Sequence, residues 1–391
     1  MEFALREGHE VHLVYFSSQN WSDETSQQIL EKLPQIKTYR IDRSWWLFRY
    51  KIGQVLRQTL RYTGNLGLRT LRFRSHSHSD RSWYLHRFLK HLDLDPDLVI
   101  GHMLSSFWPA YKMAKRSGAR LGLDVEDFHA GEDFPKTFTL RNELRNREYL
   151  MRTLLPIADY SSYASPGIER LTERVCKGKL LNNPKAVIQN SFWSEDFALS
   201  KEHKPQDENT VRLIWFSQNI NRNRGLEELL RALDYIDFQG FKLTLYGHLN
   251  EEFYSHYLKK YKDNIDTRQP VPQAELHKQL DYHDVGLALE RNDTDINKKV
   301  AVSNKIWAYL QAGLYVLASD TAGQEELMSY HRNHGLCSSL ERDHLVDHLL
   351  QIRKSLSEIR ETRTTRFDRL LHYSFDRETE KLRQLWKVIN H

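Results

Sequence analysis

Cysteine is almost absent from this chain of 391 residues: there are two, Cys176 and Cys337, and they lie far apart. That excludes a disulfide framework and any zinc site built from paired cysteines, and it fits a reducing compartment. Long hydrophobic runs are missing as well, since no apolar stretch approaches the roughly 18 residues of a membrane-spanning helix. The opening "MEFALREGHEVHLVYF" has no basic segment followed by an apolar one, so it does not read as a signal peptide. There is no repeat of short period. No motif of an RNA-binding module occurs, so a nucleic-acid partner is not expected. The net charge is a modest +5. A cytoplasmic protein is the expectation.

What is present is alternation. Strand-like runs at 9–16, 97–102, 119–125 and 186–190 are separated by helical patterns near 46–62, 82–92, 105–117, 137–154 and 166–175. The second half repeats the rhythm, with strands expected at 211–216, 241–247, 284–290 and 314–319. Helices are expected there near 225–235, 250–262, 273–280, 304–312, 323–329 and 340–361. Such alternation predicts an α/β protein with parallel sheets covered by helices. The length exceeds one ordinary core, so two domains are expected. The polar, aperiodic "SKEHKPQDENT" (200–210) reads as the linker between domains at 1–199 and 211–374. Ligands of doubly wound sheets bind beyond the carboxyl ends of the strands, and two such sheets facing each other form a cleft.

Two strand ends of the second half carry anion-friendly chemistry. After "VRLIWF" comes "SQNINRNRGLEELLRAL", with Arg222 and Arg224 just before an amphipathic helix that starts at Gly225. Arginines beside a helix start suit a diphosphate. After "DVGLALE" a long polar loop, "RNDTDINKKVAVSNK", runs to a second helix start, "SNKIWAYLQAGLYVLASD" (303–320). Ser303 is positioned as an N-cap whose hydroxyl could accept a bond from the first turn, and Lys305 adds a full positive charge.

In sequence these segments resemble the donor domain of GT-B glycosyltransferases of the large family 4 type. Arg224-Gly225 stands in that family's Lys-Gly place, and "SNKIWAYLQAGLYVLASD" resembles its Pro-Asn-Lys helix start followed by Gly and a strand ending in Ala-Ser. In the first half, "LREGHEVHLVYF" and "PDLVIGHMLSSFWPAYKMAKRSGARLGLDVEDFH" are similar to its acceptor-side segments. "VIQNSF" resembles the entry to the linker, and "YSFDRETEKLRQLWKVI" resembles the last helix (375–391), which in this fold packs back on the first domain. The resemblance implies two Rossmann-like doubly wound domains facing across a cleft. It also implies transfer of a sugar from a nucleotide-sugar donor, with retention of anomeric configuration. By it, Asn219, Arg222, Arg224, Gly225, Glu290, Ser303, Asn304 and Lys305 would surround the donor. No cofactor is implied, because the nucleotide sugar is a substrate. No bound metal is implied either, and no Asp-x-Asp arrangement demands one.

The sequence also departs from that pattern. The family's paired glutamates fall on Val300 and Ala308, and its Gly-Arg falls on Gln218-Asn219, which removes one phosphate-facing charge. Met1 stands where the family is already inside its first helix. A strand from the middle of the sheet would then be missing and its neighbours left unpaired. A start placed too late, or a truncated chain, is therefore the expectation.

On the acceptor side, "LGLDVEDFHAGEDF" (121–134) follows a strand and is rich in acids around one histidine. Glu126, Asp127 and His129 are the candidates to orient or deprotonate a sugar hydroxyl, and His102 is a second acceptor-side candidate. His76 and His78 tempt a metal reading, but their spacing suits no helical ligand pair, and a flexible polar loop is expected there. Residues 37–90 hold 13 Lys and Arg against Asp42 and Asp80, interleaved with Trp45, Trp46, Phe48, Tyr50, Tyr62, Phe73, Trp83 and Tyr84. Basic helices with aromatics can lie on an anionic membrane surface. The expected acceptor is therefore a glycan or lipid-linked glycan, handled at the inner face of the membrane in surface polysaccharide assembly. Two other readings remain open. One is a sugar-nucleotide epimerase of the same fold, and the other is a non-catalytic glycan-binding or partner subunit.

Overall fold

The computed structural model describes residues 1–17, 27, 29–41, 54–55, 57–59, 70–132, 140–199, 207–292 and 295–389. Helix α1 (Glu2–Arg6) leads into strand β1 (His12–Phe16) and then β2 (Lys37–Ile41). Helices α2 (Leu71–His78) and α3 (Asp80–His91) precede β3 (Leu98–His102), α4 (Leu104–Ser117) and β4 (Arg120–Val125). Helix α5 (Leu140–Leu154), β5 (Tyr160–Tyr163), α6 (Pro166–Cys176) and β6 (Lys185–Val187) complete the first half. The second half runs β7 (Val211–Ile220), α7 (Leu226–Tyr235), β8 (Phe241–Leu249), an irregular helical stretch (251–261) and β9 (Ile265–Arg268). It continues with α8 (Gln273–Leu280), β10 (Val285–Ala288), α9 (Ile296–Val300), α10 (Asn304–Gln311), β11 (Tyr315–Ser319), α11 (Ala322–Tyr330) and β12 (Gly335–Ser338). Helices α12 (Arg342–Lys354), α13 (Leu356–Glu361), α14 (Arg363–Leu370) and α15 (Phe375–Ile389) close the chain.

Among the described residues every strand pairing is parallel, as the alternation predicts. The second half forms one six-stranded sheet in the order β12-β11-β10-β7-β8-β9. Its centre is apolar on both faces: Leu213, Ile214, Trp215, Val285 and Leu287 are fully buried, which is what a sheet covered by helices on both sides requires. The first half forms two sheets, β1-β2 and β3-β4-β5-β6. Among the described residues β3 therefore pairs on one side only, and Ile100 on it is 37% exposed.

Helix α15 folds back on the first half. Trp386 donates from its indole N–H to the Tyr160 hydroxyl (3.1 Å), Glu378 accepts the Gln189 N–H (2.8 Å), and the ring of Trp386 packs on Phe3 of α1. The halves also meet through α9. Asn297 donates to the Asp127 carboxylate (2.8 Å) and accepts the Phe128 N–H (2.7 Å), while Ser165 donates to the Val300 carbonyl (2.8 Å). Arg170 forks onto Glu326 across the same seam (2.8 and 2.7 Å).

Several expectations need correction. The stretch holding His76 and His78 is helix, not a polar loop, and it is buried. His76 lies edge-on to Trp83 and Trp108. Burial, helped by Arg72 and His86, pulls its pKa down to about 3, so it stays neutral. The polar loop before Ser303 contains α9. Of the basic, aromatic stretch, Trp45, Trp46, Phe48, Tyr50 and Tyr62 lie outside the described residues, as do linker residues 200–206 and the helix expected near 46–62, apart from 54–55 and 57–59. Within the described part, Tyr84 is buried, Phe73 and Trp83 are half-buried, and Arg72, Arg81, Arg87 and Lys90 are exposed. No helix among the described residues is long and apolar enough to cross a membrane.

Candidate active site

In the second sheet, β7 and β10 lie side by side, and the chain order reverses between them. The crevice beyond such a reversal is where open α/β sheets bind ligands. The segments after these two strands are the ones singled out from the sequence.

Strand β7 runs to Ile220, with a register shift between Phe216 and Asn219, so Asn219 sits on the strand opposite His248 rather than in the loop. The turn then passes Asn223 at φ 65° and Gly225 at φ 76°. Gly225 is needed twice over. Its backbone is left-handed, and a Cβ there would lie 2.8 Å from the Cβ of Leu289. That close approach seats the start of α7 against the end of β10. Arg222 turns outward to Glu252 (2.8 Å) and lies over the Tyr257 ring. Arg224 is half-buried and makes no hydrogen bond or ion pair among the described residues. The first turn of α7 already holds two carboxylates: Glu227 accepts the Asn223 N–H (2.9 Å) and Glu228 pairs with Arg291 (3.0 Å).

Beyond β10, Glu290 is fixed by its N–H to the Ser319 hydroxyl (2.8 Å). Its carboxylate takes the Lys305 ammonium (3.1 Å), which also reaches the Ser303 hydroxyl (3.4 Å) and lies 5.7 Å from the centre of the Trp215 ring. Lys305 is only 8% exposed. Ser303 is the N-cap residue by position, but its side chain caps nothing. Its hydroxyl faces the ammonium, so the first-turn N–H groups of α10 are not capped by it. Asn304 is exposed. Helix α10 sits low on the sheet because Gly286 leaves room for Tyr309: a Cβ at Gly286 would lie 2.1 Å from that ring. Among the described residues, buried polar atoms without hydrogen-bond partners follow the carboxyl ends of β7 and β11: Asn221 Oδ1, Glu228 Oε2, Thr321 Oγ1 and Gln324 Oε1. Unpartnered buried polar groups are uncommon and mark places where a ligand or water belongs.

On the facing side, parallel register places His102 on β3 directly beside Asp124 on β4. His102 Nδ1 lies 2.9 Å from Asp124 Oδ2 and 3.7 Å from Glu126 Oε1, and Asp124 Oδ1 accepts from Ser162 (2.7 Å). Desolvation works to lower the pKa of His102, but the bonds and charges of Asp124 and Glu126 outweigh it and raise it to about 9. The side chain is 58% exposed, so the carboxylates rather than burial decide its state. At neutral pH it is an imidazolium whose Nε2–H has no partner among the described residues. The ligand atoms of His102, Asp124 and Glu126 lie within 4.8 Å of one another, a donor set that a divalent cation could also take.

The other two candidates of this segment are engaged. Asp127 holds Asn297 of the second half. His129 is 3% exposed; its Nε2 accepts the first N–H of α4 from Leu104 (3.2 Å), so Nδ1 carries the proton toward Glu132 (3.1 Å). Arg147 then joins Glu132 and the His129 carbonyl. The roles of Asp124, Ser162, Asn297 and Ser319 escape a reading of the sequence, because they arise from cross-strand register and from contacts distant in the chain.

No family model and no curated protein matches the sequence. Solved structures do. HepE from Anabaena, determined with UDP and glucose, covers 100% of this chain and 94% of its own at 14% identity, with a TM-score of 0.62. A glycosyltransferase from Rickettsia africae covers 99% of this chain and 92% of its own at 11% identity and TM-score 0.60. Sucrose-phosphate synthase from Thermosynechococcus elongatus covers 79% and 78% at 14% identity and TM-score 0.60. The chain has the GT-B glycosyltransferase fold.

Proposed function

We propose that this chain is a glycosyltransferase that moves a sugar from a nucleoside-diphosphate donor to a hydroxyl of a glycan or lipid-linked glycan. The observation that carries the reading is the crevice at the β7/β10 reversal, where two helix starts meet Arg224, which has no hydrogen-bond or ion-pair partner among the described residues. The leaving group is a nucleoside diphosphate whose charge grows as the glycosidic bond breaks, and fixed donors aimed at it stabilise the transition state. Arg224 supplies charge there, and the uncapped first turn of α10 supplies N–H groups. The buried Lys305 pairs with the half-buried Glu290 at the same helix start, and Asn304 is the exposed polar group beside them. Similar structures fit this donor class: HepE was solved with UDP and glucose, and a TarM mutant with UDP among its ligands.

Across the cleft, Glu126 is the carboxylate most open to an incoming hydroxyl, and His102 presents Nε2–H beside it. Asp127 and His129 support this wall by holding α9 and α4. The transfer needs no bound metal in this reading, and retention of configuration and a hexosyl donor are taken from the sequence resemblance. The basic faces of α2 and α3 are compatible with an anionic membrane surface carrying the acceptor.

Thermal melts with UDP, GDP, ADP, CMP and TDP, on this chain and on Arg224→Ala, test the donor site. Binding raises the transition as RT ln(1 + [L]/Kd). One nucleotide should raise it, and Arg224→Ala should abolish the rise. No rise with any nucleotide would sink the donor-site reading and favour a non-catalytic subunit.

A further inference from the structure

A second pocket lies in the same half but at the other end of its sheet. It is a cavity of about 330 Å³ lined by Arg212, Lys242, Thr244, Arg268, Gln279 and His283, with Tyr282 at its side. Arg212 and Lys242 are cross-strand partners at the amino ends of β7 and β8, and Thr244 and Arg268 continue the same sheet face through β9. The donor crevice lies beyond Asn219 and Ile220, seven to eight residues further along β7. At about 3.3 Å per residue this is over 20 Å from Arg212, while Arg268, level with Tyr246 and Phe216, stands two strands to the side of β7. The two sites are therefore separate.

The lining carries three cations and no carboxylate. Nearby acids are already matched: Asp266 by Arg268 (2.6 Å), Asp284 by Arg360 (2.8 and 3.1 Å) and Asp281 by Arg363 (3.0 Å). The guanidinium of Arg212 makes no hydrogen bond or ion pair among the described residues. Arg268 is aimed by the Tyr246 hydroxyl (2.9 Å) and Gln279 (3.3 Å), while Lys242 reaches Asn264 Oδ1 (3.1 Å) and a backbone carbonyl. His283 forms the neutral floor. Its Nδ1 faces the Gln279 carbonyl (2.9 Å) and therefore carries the proton, so Nε2 accepts from Thr244 (3.0 Å). Burial first, and then the nearby Arg268 and Arg212, hold its pKa down to about 4.

Like charges brought together in a concave site, with hydrogen-bonding side chains between them, suit a multiply charged oxyanion. We infer that this pocket binds a small phosphate-bearing anion, the phosphate held by Arg212, Lys242 and Arg268 and any attached sugar meeting Gln279 and Tyr282. Such a ligand would tie α8 to β7, β8 and β9 without entering the donor crevice.

Thermal melts of the full chain with inorganic phosphate and with a hexose 6-phosphate test this, against potassium chloride at equal ionic strength. Both phosphates should raise the transition in the unaltered chain and in Arg224→Gln, and the rise should be lost in Arg212→Gln and reduced in Lys242→Gln. Circular dichroism should show both pocket variants folded; Lys242 is exposed, so its variant keeps the test open if Arg212→Gln misfolds. A larger rise with the hexose phosphate would support contact with the sugar, and equal rises would support a site for phosphate alone. An equal rise with potassium chloride, a rise unchanged in both pocket variants, or a rise abolished by Arg224→Gln would overturn the inference.

Discussion

His102 couples the acceptor wall to pH. Its charged form is favoured in the folded chain, where its pKa stands at about 9 against the ordinary 6.5. A raised histidine pKa contributes stability that is complete below the unfolded value and is lost as pH rises through the folded one. The melting difference between this chain and His102→Gln should therefore be largest below 6.5 and vanish above about 9. Solvent screens a side chain that is more than half exposed, so the effect should be small. A difference that stays constant across that range would contradict the pairing with Asp124 and Glu126. Lys305 is a different case, because its ammonium is buried against Glu290. Lys305→Met leaves that carboxylate without its partner and should cost about 1–3 kcal/mol in urea unfolding. Glu290→Gln should cost less, since the amide oxygen can still accept from the ammonium.

Single elements show why the donor crevice has its shape. Tyr309 on α10 lies against the β10 backbone at Gly286, so the helix rests closer to the sheet than a side chain at that position would allow. Gly286→Ala forces the ring or the helix outward. Overpacking of this kind costs about 1–3 kcal/mol, measurable by denaturant unfolding. The same variant should weaken nucleotide binding, because Ser303, Asn304 and Lys305 move with the helix. Unchanged stability would mean that Tyr309 can rotate away. This contact also illustrates what the sequence makes legible. The run "LYVLAS" and the helix before it are plain from apolar periodicity, but nothing local says that Gly286 and Tyr309 touch. Strand β5 is harder still: "YSSY" is polar in composition yet buried throughout. Ser161 bonds to Tyr163 (2.9 Å) and Ser162 to Asp124, so its hydroxyls find partners only in the folded sheet. Helix α2 is obscured in the same way by "SHSH", whose His76 is paired with tryptophans from α3 and α4. His102 and Glu126 are visible from the sequence as strand-end residues. Asp124 is visible only as one acid among several, because its role depends on the register of β3 against β4.

At the scale of the whole molecule, the two halves are joined at the cleft by a small number of polar contacts, and Asn297 is central to them. Its amide serves both halves at once, donating to the Asp127 carboxylate and accepting from the Phe128 N–H, and it is 8% exposed. Asn297→Asp keeps the size and the acceptor but replaces the donor with a second carboxylate facing Asp127. Two like charges at hydrogen-bond distance in a nearly buried seam repel, so the halves should separate at neutral pH. Asn297→Ala removes both bonds without adding repulsion and should loosen the seam less. Small-angle X-ray scattering should then rank the radius of gyration as Asn297→Asp above Asn297→Ala above the unaltered chain. Acidification far enough to protonate one carboxylate should draw Asn297→Asp back toward Asn297→Ala. Ser165 and Arg170 hold the same seam to Val300 and Glu326, which limits how far it can open. Identical scattering from all three chains would show that these neighbouring contacts and the packing of α15 on the first half are enough to hold the cleft closed.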